Sequence, residues 1–130
     1  MQRLPPALML ESRGWPGGFA LVDSGHGRKL ERWGALTLVR PETQALWAPS
    51  LPEDRWAAAD AEFDATVEDD EHGRWRVNAA ERQSWPVPFG GLTFECRFTN
   101  FRHVGLFPEQ APHWAWMCEL IRARRALEAG

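Results

Sequence analysis

With 130 residues and a net charge of −3, the chain has the length of one domain and no overall attraction for polyanions. Its two cysteines argue against a disulfide scaffold, and no apolar run approaches the ~20 residues of a membrane span. We therefore expect a cytoplasmic protein with reduced thiols, and we expect most of its eight tryptophans and seven phenylalanines in a core.

The first third of the chain predicts a lead-in followed by short strands. Prolines and glycines over residues 1–17 predict an irregular segment. Short apolar runs at 18–22 and 36–40 flank the turn-forming residues 23–27 and the basic run 28–33. Together these segments predict a small antiparallel meander with tight turns.

Residues 92–99 form the clearest strand pattern of the chain. Leu92, Phe94, Cys96 and Phe98 alternate with polar residues, and this period of two places the four side chains on one face. The pattern predicts a strand with one apolar face, and it predicts that Cys96 packs in the core.

A helix is predicted near the end of the chain, because Pro112 suits the first turn of a helix. Trp114, Met117, Cys118 and Ile121 then lie at i, i+3, i+4 and i+7, which places them on one apolar stripe. We expect Cys118, like Cys96, to be a packing residue and not a nucleophile.

The pattern as a whole predicts an α+β fold. It consists of a small antiparallel β meander or partly open barrel with long loops, followed by one C-terminal amphipathic helix. We expect a β-rich domain over residues 18–104, and a loop and helix over 105–130. No doubly wound Rossmann-like domain is expected within the chain.

Glycines and basic residues occur together around the predicted turn at 23–27. Arg28, Lys29 and Arg32 are the candidate residues for contact with an RNA backbone. A phosphate-binding loop of the GxxxxGK(S/T) type needs another spacing and a helix after it. From these residues a plain hairpin turn is therefore the better interpretation, and contact with RNA is the alternative.

The sequence predicts no metal site. The four histidines are scattered, and neither cysteine has a CxxC or HxxxH partner. The acidic run at 68–71 lacks the glycine and the ligand spacing of a calcium loop, and it indicates a solvated loop. We assign no catalytic residue to the chain.

The segment 100–110 combines three large apolar residues with several polar ones, between a predicted strand and a predicted helix. Its polar groups are expected at the helix N-terminus, a common place for ligand binding. A loop that only caps and packs the helix is the alternative.

Two stretches of the chain resemble a known family. The first is DSGHGRKLERWG at 23–34, with LVRP at 38–41 and QALW at 44–47. The second is GLFPEQ at 105–110 with His-Trp at 113–114. The pair is similar to the front half of class I S-adenosylmethionine-dependent methyltransferases related to the large-subunit rRNA cytosine methyltransferases.

The resemblance implies a Rossmann-like domain that follows the helix and binds S-adenosylmethionine in the intact protein. It implies that Phe107, Glu109 and Gln110 lie at the edge of the cofactor pocket or near the target base. It also implies that the front meander, with Arg28, Lys29 and Arg32, helps to position RNA.

The leading hypothesis is the N-terminal substrate-recognition portion of an rRNA methyltransferase, which is inactive and binds no S-adenosylmethionine by itself. We expect ribosomal RNA and a missing or separate catalytic domain as partners, and no membrane. The chain is then a fragment, a truncated gene product or half of a split enzyme, and homodimerisation is left open. The alternatives are a free-standing nucleic-acid- or protein-binding module and a purely structural domain.

Overall fold

The computed structural model describes residues 15–78 and 83–130. These residues divide into two compact units, 15–106 and 107–130. The first unit is a β domain and the second is mainly one helix. Most of the predicted lead-in, residues 1–14, lies outside the described residues.

A five-stranded sheet forms the body of the first unit, and its strands lie side by side in chain order. The first three strands pair antiparallel, as the meander prediction required. The third and fourth pair parallel, and the fourth and fifth pair antiparallel. The sheet consists of β1 (Phe19–Gly25), β2 (Arg28–Trp33), β3 (Leu36–Pro41), β4 (Ala61–Ala65) and β5 (Gly73–Val77).

The parallel pair of β3 and β4 departs from the predicted antiparallel meander. A parallel partner requires a long crossover, because the chain must return to the same end of the sheet. The connection over residues 42–60 provides it and contains the short helix α1 (Glu53–Ala57). Local alternation in the sequence did not indicate this crossover, since both strands have ordinary strand patterns.

Two further strands form a separate hairpin, with β6 (Ser84–Phe89) paired antiparallel to β7 (Leu92–Arg97). Gly90 and Gly91 connect them with φ values of 57° and 80°. These left-handed values match a type I′ turn, in which glycine avoids a steric penalty. The strand predicted over 92–99 is confirmed as β7, which ends two residues earlier than predicted.

The main core lies between the sheet and this hairpin. Trp33 and Trp85 are fully buried, and the Trp85 indole N–H donates to the Trp33 carbonyl oxygen at 2.9 Å. Cys96 is also buried, as predicted, and burial raises the pKa of its thiol to about 11. The thiol is therefore protonated at neutral pH and unsuited to nucleophilic attack.

The opposite face of the sheet carries a smaller core. Leu30 and Val39 are direct neighbours on β2 and β3, and they pack with Trp56 of α1 and with Ala59. Leu51 of the crossover packs against this cluster. Because side chains alternate along a strand, these residues cover the face that the aromatic core leaves free.

The second unit begins with a 3₁₀ turn at Pro108–Gln110 and continues as helix α2 (Ala111–Ala129), which confirms the predicted C-terminal helix. Its apolar residues form more than the one predicted stripe, since Trp116, Leu120 and Leu127 lie at i, i+4 and i+11 on a second side. The expectation that Cys118 packs is wrong, because its side chain is exposed.

Apolar side chains on two sides of α2 meet solvent, and Leu120 and Ile121 are 52% and 54% exposed. Such a helix differs from an ordinary surface helix, which has one apolar stripe and a charged opposite face. No helix within the described residues is both long and apolar enough to cross a membrane.

Candidate functional site

The β1–β2 hairpin ends in a two-residue turn made by His26 and Gly27, with φ values of 48° and 74°. Positive φ at both positions is the type I′ arrangement, which favours asparagine and glycine. A residue with a side chain is uncommon at positive φ, but histidine adopts such values more often than most residues do. The turn predicted over 23–27 is therefore a hairpin turn confined to residues 26 and 27, since residues 23–25 belong to β1.

Arg28 is the first of the three residues predicted to contact RNA, and acids surround it. Its Nη2 atom lies 3.0 Å from a Glu53 carboxylate oxygen, and Nη1 lies 3.8 Å from Glu62. Its guanidinium group also lies 4.8 Å from the centre of the Trp56 ring. These contacts tie β2 to α1 and reduce the positive potential that a phosphate would meet.

Lys29 and Arg32 lie on opposite faces of β2. The Lys29 amine is 3.7 Å from Glu31 and 3.8 Å from Glu42, so its charge is also partly compensated. The Arg32 side chain is exposed. The structure thus places Arg28 and Arg32 on one face and Lys29 on the other, and their contact with RNA stays a prediction.

Glu31 on β2 and Arg40 on β3 form an ion pair that the sequence pattern did not indicate. Glu31 is 2% exposed, and its carboxylate accepts two hydrogen bonds from Arg40 at 2.6 and 2.8 Å. The Trp33 indole N–H donates to the same carboxylate at 3.3 Å. The Arg40 guanidinium lies 5.0 Å from the Trp33 ring centre, so a buried charge is paired and fully hydrogen-bonded.

Asp23 anchors the crossover to the hairpin. Its carboxylate accepts hydrogen bonds from the backbone N–H groups of Ser24, Ser50 and Leu51 and from the Trp56 indole. Burial raises the pKa of Asp23, but these hydrogen bonds outweigh burial and hold the pKa below its ordinary value of 3.8. The ionised carboxylate is thus the form that organises the loop.

Leu46 and Trp47 lie beside the hairpin turn and are strongly exposed, at 86% and 56%. We call these two residues the tip platform. The Trp47 indole N–H donates to the Ser24 carbonyl oxygen at 2.9 Å and contacts its hydroxyl at 3.2 Å. The Trp47 side chain is therefore bonded to the hairpin through its N–H group while more than half of the residue is exposed.

An open cavity of about 540 Å³ lies at the turn of the β6–β7 hairpin. Trp15 and Phe89 line it and stack on each other with their ring centres 4.0 Å apart. Leu92 and Thr93 line another part of the cavity. Sequence reasoning missed this cavity because residues distant in the chain form its walls.

The predicted cofactor-side residues lie together at the start of α2. Phe107 precedes the 3₁₀ turn, and the Gln110 N–H donates to the Phe107 carbonyl oxygen at 3.0 Å. Glu109 and Gln110 are exposed, and Gln110 is the N-cap residue of α2 without a side-chain capping bond. Their location at a helix N-terminus matches the expectation, while contact with a cofactor stays a prediction.

Within residues 15–78 and 83–130, no three His, Cys, Asp or Glu side chains gather as ligands of a metal ion would. The described residues of the β unit present a charge-compensated hairpin with an exposed tip platform and an open aromatic cavity. Those of the second unit present a polar helix start.

No protein-family model matches the chain, and no match was found among curated proteins. Among solved structures, a SAM-dependent methyltransferase from Agrobacterium tumefaciens is similar, with a TM-score of 0.81 and 45% sequence identity. The match covers 95% of this chain and 40% of that protein's chain. This chain therefore spans less than half the length of the protein that it matches.

Proposed function

We propose that this chain, which is related to an S-adenosylmethionine-dependent methyltransferase, is the substrate-recognition portion of such an enzyme and transfers no methyl group by itself. The similarity to the Agrobacterium protein carries the proposal: 45% identity over 95% of this chain extends over only 40% of that enzyme. We place the cofactor-binding domain in the share of the enzyme that this chain does not match.

The secondary structure of the described residues supports this division. A doubly wound nucleotide-binding domain uses several parallel strands with helices between them, and it binds its ligand at the carboxyl ends of those strands. The described residues contain one parallel pair, β3 and β4, connected through a helix of five residues. The antiparallel remainder is suited to recognition and not to this type of cofactor binding.

Helix α2 supports the proposal independently. Helices that are apolar on more than one side are normally buried within a larger protein. Trp116 and Leu120 on one side of α2, and Met117 and Ile121 on another, are exposed. An additional domain that covers these side chains accounts for their exposure here.

We propose RNA, and ribosomal RNA in particular, as the substrate of the whole enzyme. The resemblance of residues 23–34 and 105–110 to rRNA cytosine methyltransferases supports this assignment. We assign Phe107, Glu109 and Gln110 to the cofactor side, because an aromatic ring and an amide suit adenine or a target base.

A first experiment tests whether substrate recognition and cofactor binding lie in different domains. S-adenosylmethionine is titrated into residues 1–130 by calorimetry, and we expect no binding. The chain is then fused to the portion of the Agrobacterium enzyme that the match leaves out, and radioactive methyl transfer to total RNA is measured. We expect transfer by the fusion and none by either part alone.

Two results contradict the proposal in different ways. Micromolar binding of S-adenosylmethionine by residues 1–130 means that the cofactor site is within this chain. Methylation of protein but not of RNA by the fusion leaves the division of labour intact and overturns the substrate class.

A further inference from the structure

The tip platform has the rigidity of a prepared recognition surface. The His26 N–H donates to the Trp47 carbonyl oxygen at 2.8 Å, and the Gly27 N–H donates to the Ala45 carbonyl oxygen at 2.8 Å. Ala45, between the turn and the platform, is completely buried. The main chain on both sides of Leu46 is therefore held by hydrogen bonds to the hairpin turn.

Close packing also fixes this loop against the hairpin. A Cβ atom added at Gly25 would lie 2.4 Å from the backbone nitrogen of Pro49, so the hairpin and the loop touch backbone to backbone. The Asp23 carboxylate fixes the next residues through the N–H groups of Ser50 and Leu51. The loop therefore loses its conformational entropy when the protein folds. Less of that entropy remains to be lost when a ligand binds.

The small area of the tip platform fits a single flat ring and not a protein partner. A buried tryptophan side chain covers roughly 150–250 Å², whereas each partner of a stable protein complex buries about 800 Å². Two exposed apolar side chains are too small for such an interface, but one flat ring the size of a nucleobase covers the exposed part of an indole.

The charges around the platform favour stacking over phosphate contact. Arg28 is paired with Glu53 and lies near Glu62, and Lys29 lies near Glu31 and Glu42. Compensated cations contribute little to backbone binding, which depends on the release of counterions from phosphates. The stacking of a base on an aromatic ring is a contact between two ring faces, so it does not depend on these paired cations.

We propose that Trp47 is a stacking platform for one unpaired base of a single-stranded RNA. The RNA class rests on the proposed function, but the contact belongs to this chain alone. It places a specific RNA contact at the crossover loop, separate from Arg28, Lys29 and Arg32. The indole N–H stays bonded to Ser24, so the base meets the ring face.

The test measures binding of the full chain to fluorescent RNA oligonucleotides of about ten nucleotides. Trp47→Leu and Trp47→Phe form a matched pair, because both lose the N–H bond to Ser24 and only the second keeps a ring. We expect Trp47→Leu to weaken binding roughly 5- to 100-fold, and Trp47→Phe to retain most of it. Melting curves verify that both variants fold.

Trp116→Ala on α2 controls for the loss of any exposed tryptophan, and we expect it to leave RNA binding unchanged. The salt dependence of binding should be the same in wild type and Trp47→Leu, because no phosphate contact is lost. Equal affinities of the Leu and Phe variants overturn the proposal, as does an equal loss in Trp116→Ala.

Absence of RNA binding by the wild-type chain also overturns the proposal, and it leaves a protein as the occupant to seek. That result is distinguishable from failure of the proposed function, because the fusion enzyme tests cofactor use and methyl transfer separately. A fusion that methylates RNA while Trp47→Leu binds RNA normally disproves only the stacking contact.

Discussion

The β unit and helix α2 differ in how far their large apolar side chains are buried. In the β unit, Trp33 and Trp85 are buried and hydrogen-bonded within the unit. In α2, Leu120 and Ile121 are more than half exposed, although they are as apolar as core residues. The difference shows that the described part of the β unit packs its aromatic residues within the unit, whereas α2 has exposed apolar side chains on two sides.

We expect the largest loss of stability from a change in the aromatic core of the β unit. Trp85→Ala removes a buried ring and leaves the Trp33 carbonyl oxygen without its indole donor, so we expect a loss of about 3–5 kcal/mol in the free energy of unfolding. Denaturant unfolding measures it. Trp116→Ala is the matched control on α2, and we expect a change within about 1 kcal/mol. Similar losses in both variants contradict the comparison.

The next effect concerns the buried ion pair. Arg40→Ala leaves the Glu31 carboxylate buried with its main partner removed, so we expect a loss of about 3 kcal/mol. A double variant, Glu31→Leu with Arg40→Met, removes both charges and should recover part of that loss. A double variant less stable than Arg40→Ala contradicts this expectation. It means that the loss in Arg40→Ala does not come mainly from leaving the Glu31 charge unpaired.

A smaller effect appears in the dependence of stability on pH. Hydrogen bonds lower the pKa of Asp23 in the folded state below its ordinary value of 3.8. Its stabilising contribution is therefore present above the unfolded pKa and is lost as the pH falls through the folded pKa. The melting temperature of wild type should exceed that of Asp23→Asn at neutral pH, and the gap should close in acid. If the difference in melting temperature does not change with pH, the negative charge of Asp23 is not its cause.

The smallest effect on stability is expected in α2. Leu120→Ser and Ile121→Ser replace exposed apolar side chains, so the free energy of unfolding should change by less than about 0.5 kcal/mol. The same changes should reduce self-association of the isolated chain, because exposed apolar patches promote it. Light scattering over a range of concentrations measures this. Losses as large as that of Trp85→Ala mean that the helix belongs to the core.

Patterns that depend on near neighbours in the chain were predictable. The alternation over 92–99 predicted β7, the glycine-rich turn predicted the β1–β2 hairpin, and Pro112 with the following apolar spacing predicted α2. The candidate sites were predictable only in position: Gln110 lies at the start of a helix as expected. The acidic partners of Arg28 were not, because Glu53 is 25 residues away in the chain.

The sequence by itself determined the α+β class, the short strands, the tight turns and the terminal helix, because steric preferences and periodicity act within a few residues. Only the tertiary structure decided that β3 pairs parallel to β4, that Glu31 is buried against Arg40, and that the Trp47 ring faces solvent. These outcomes depend on which distant segments meet across the 42–60 crossover. Residue type alone does not separate an exposed tryptophan from a buried one, since both offer the same apolar ring and the same N–H donor.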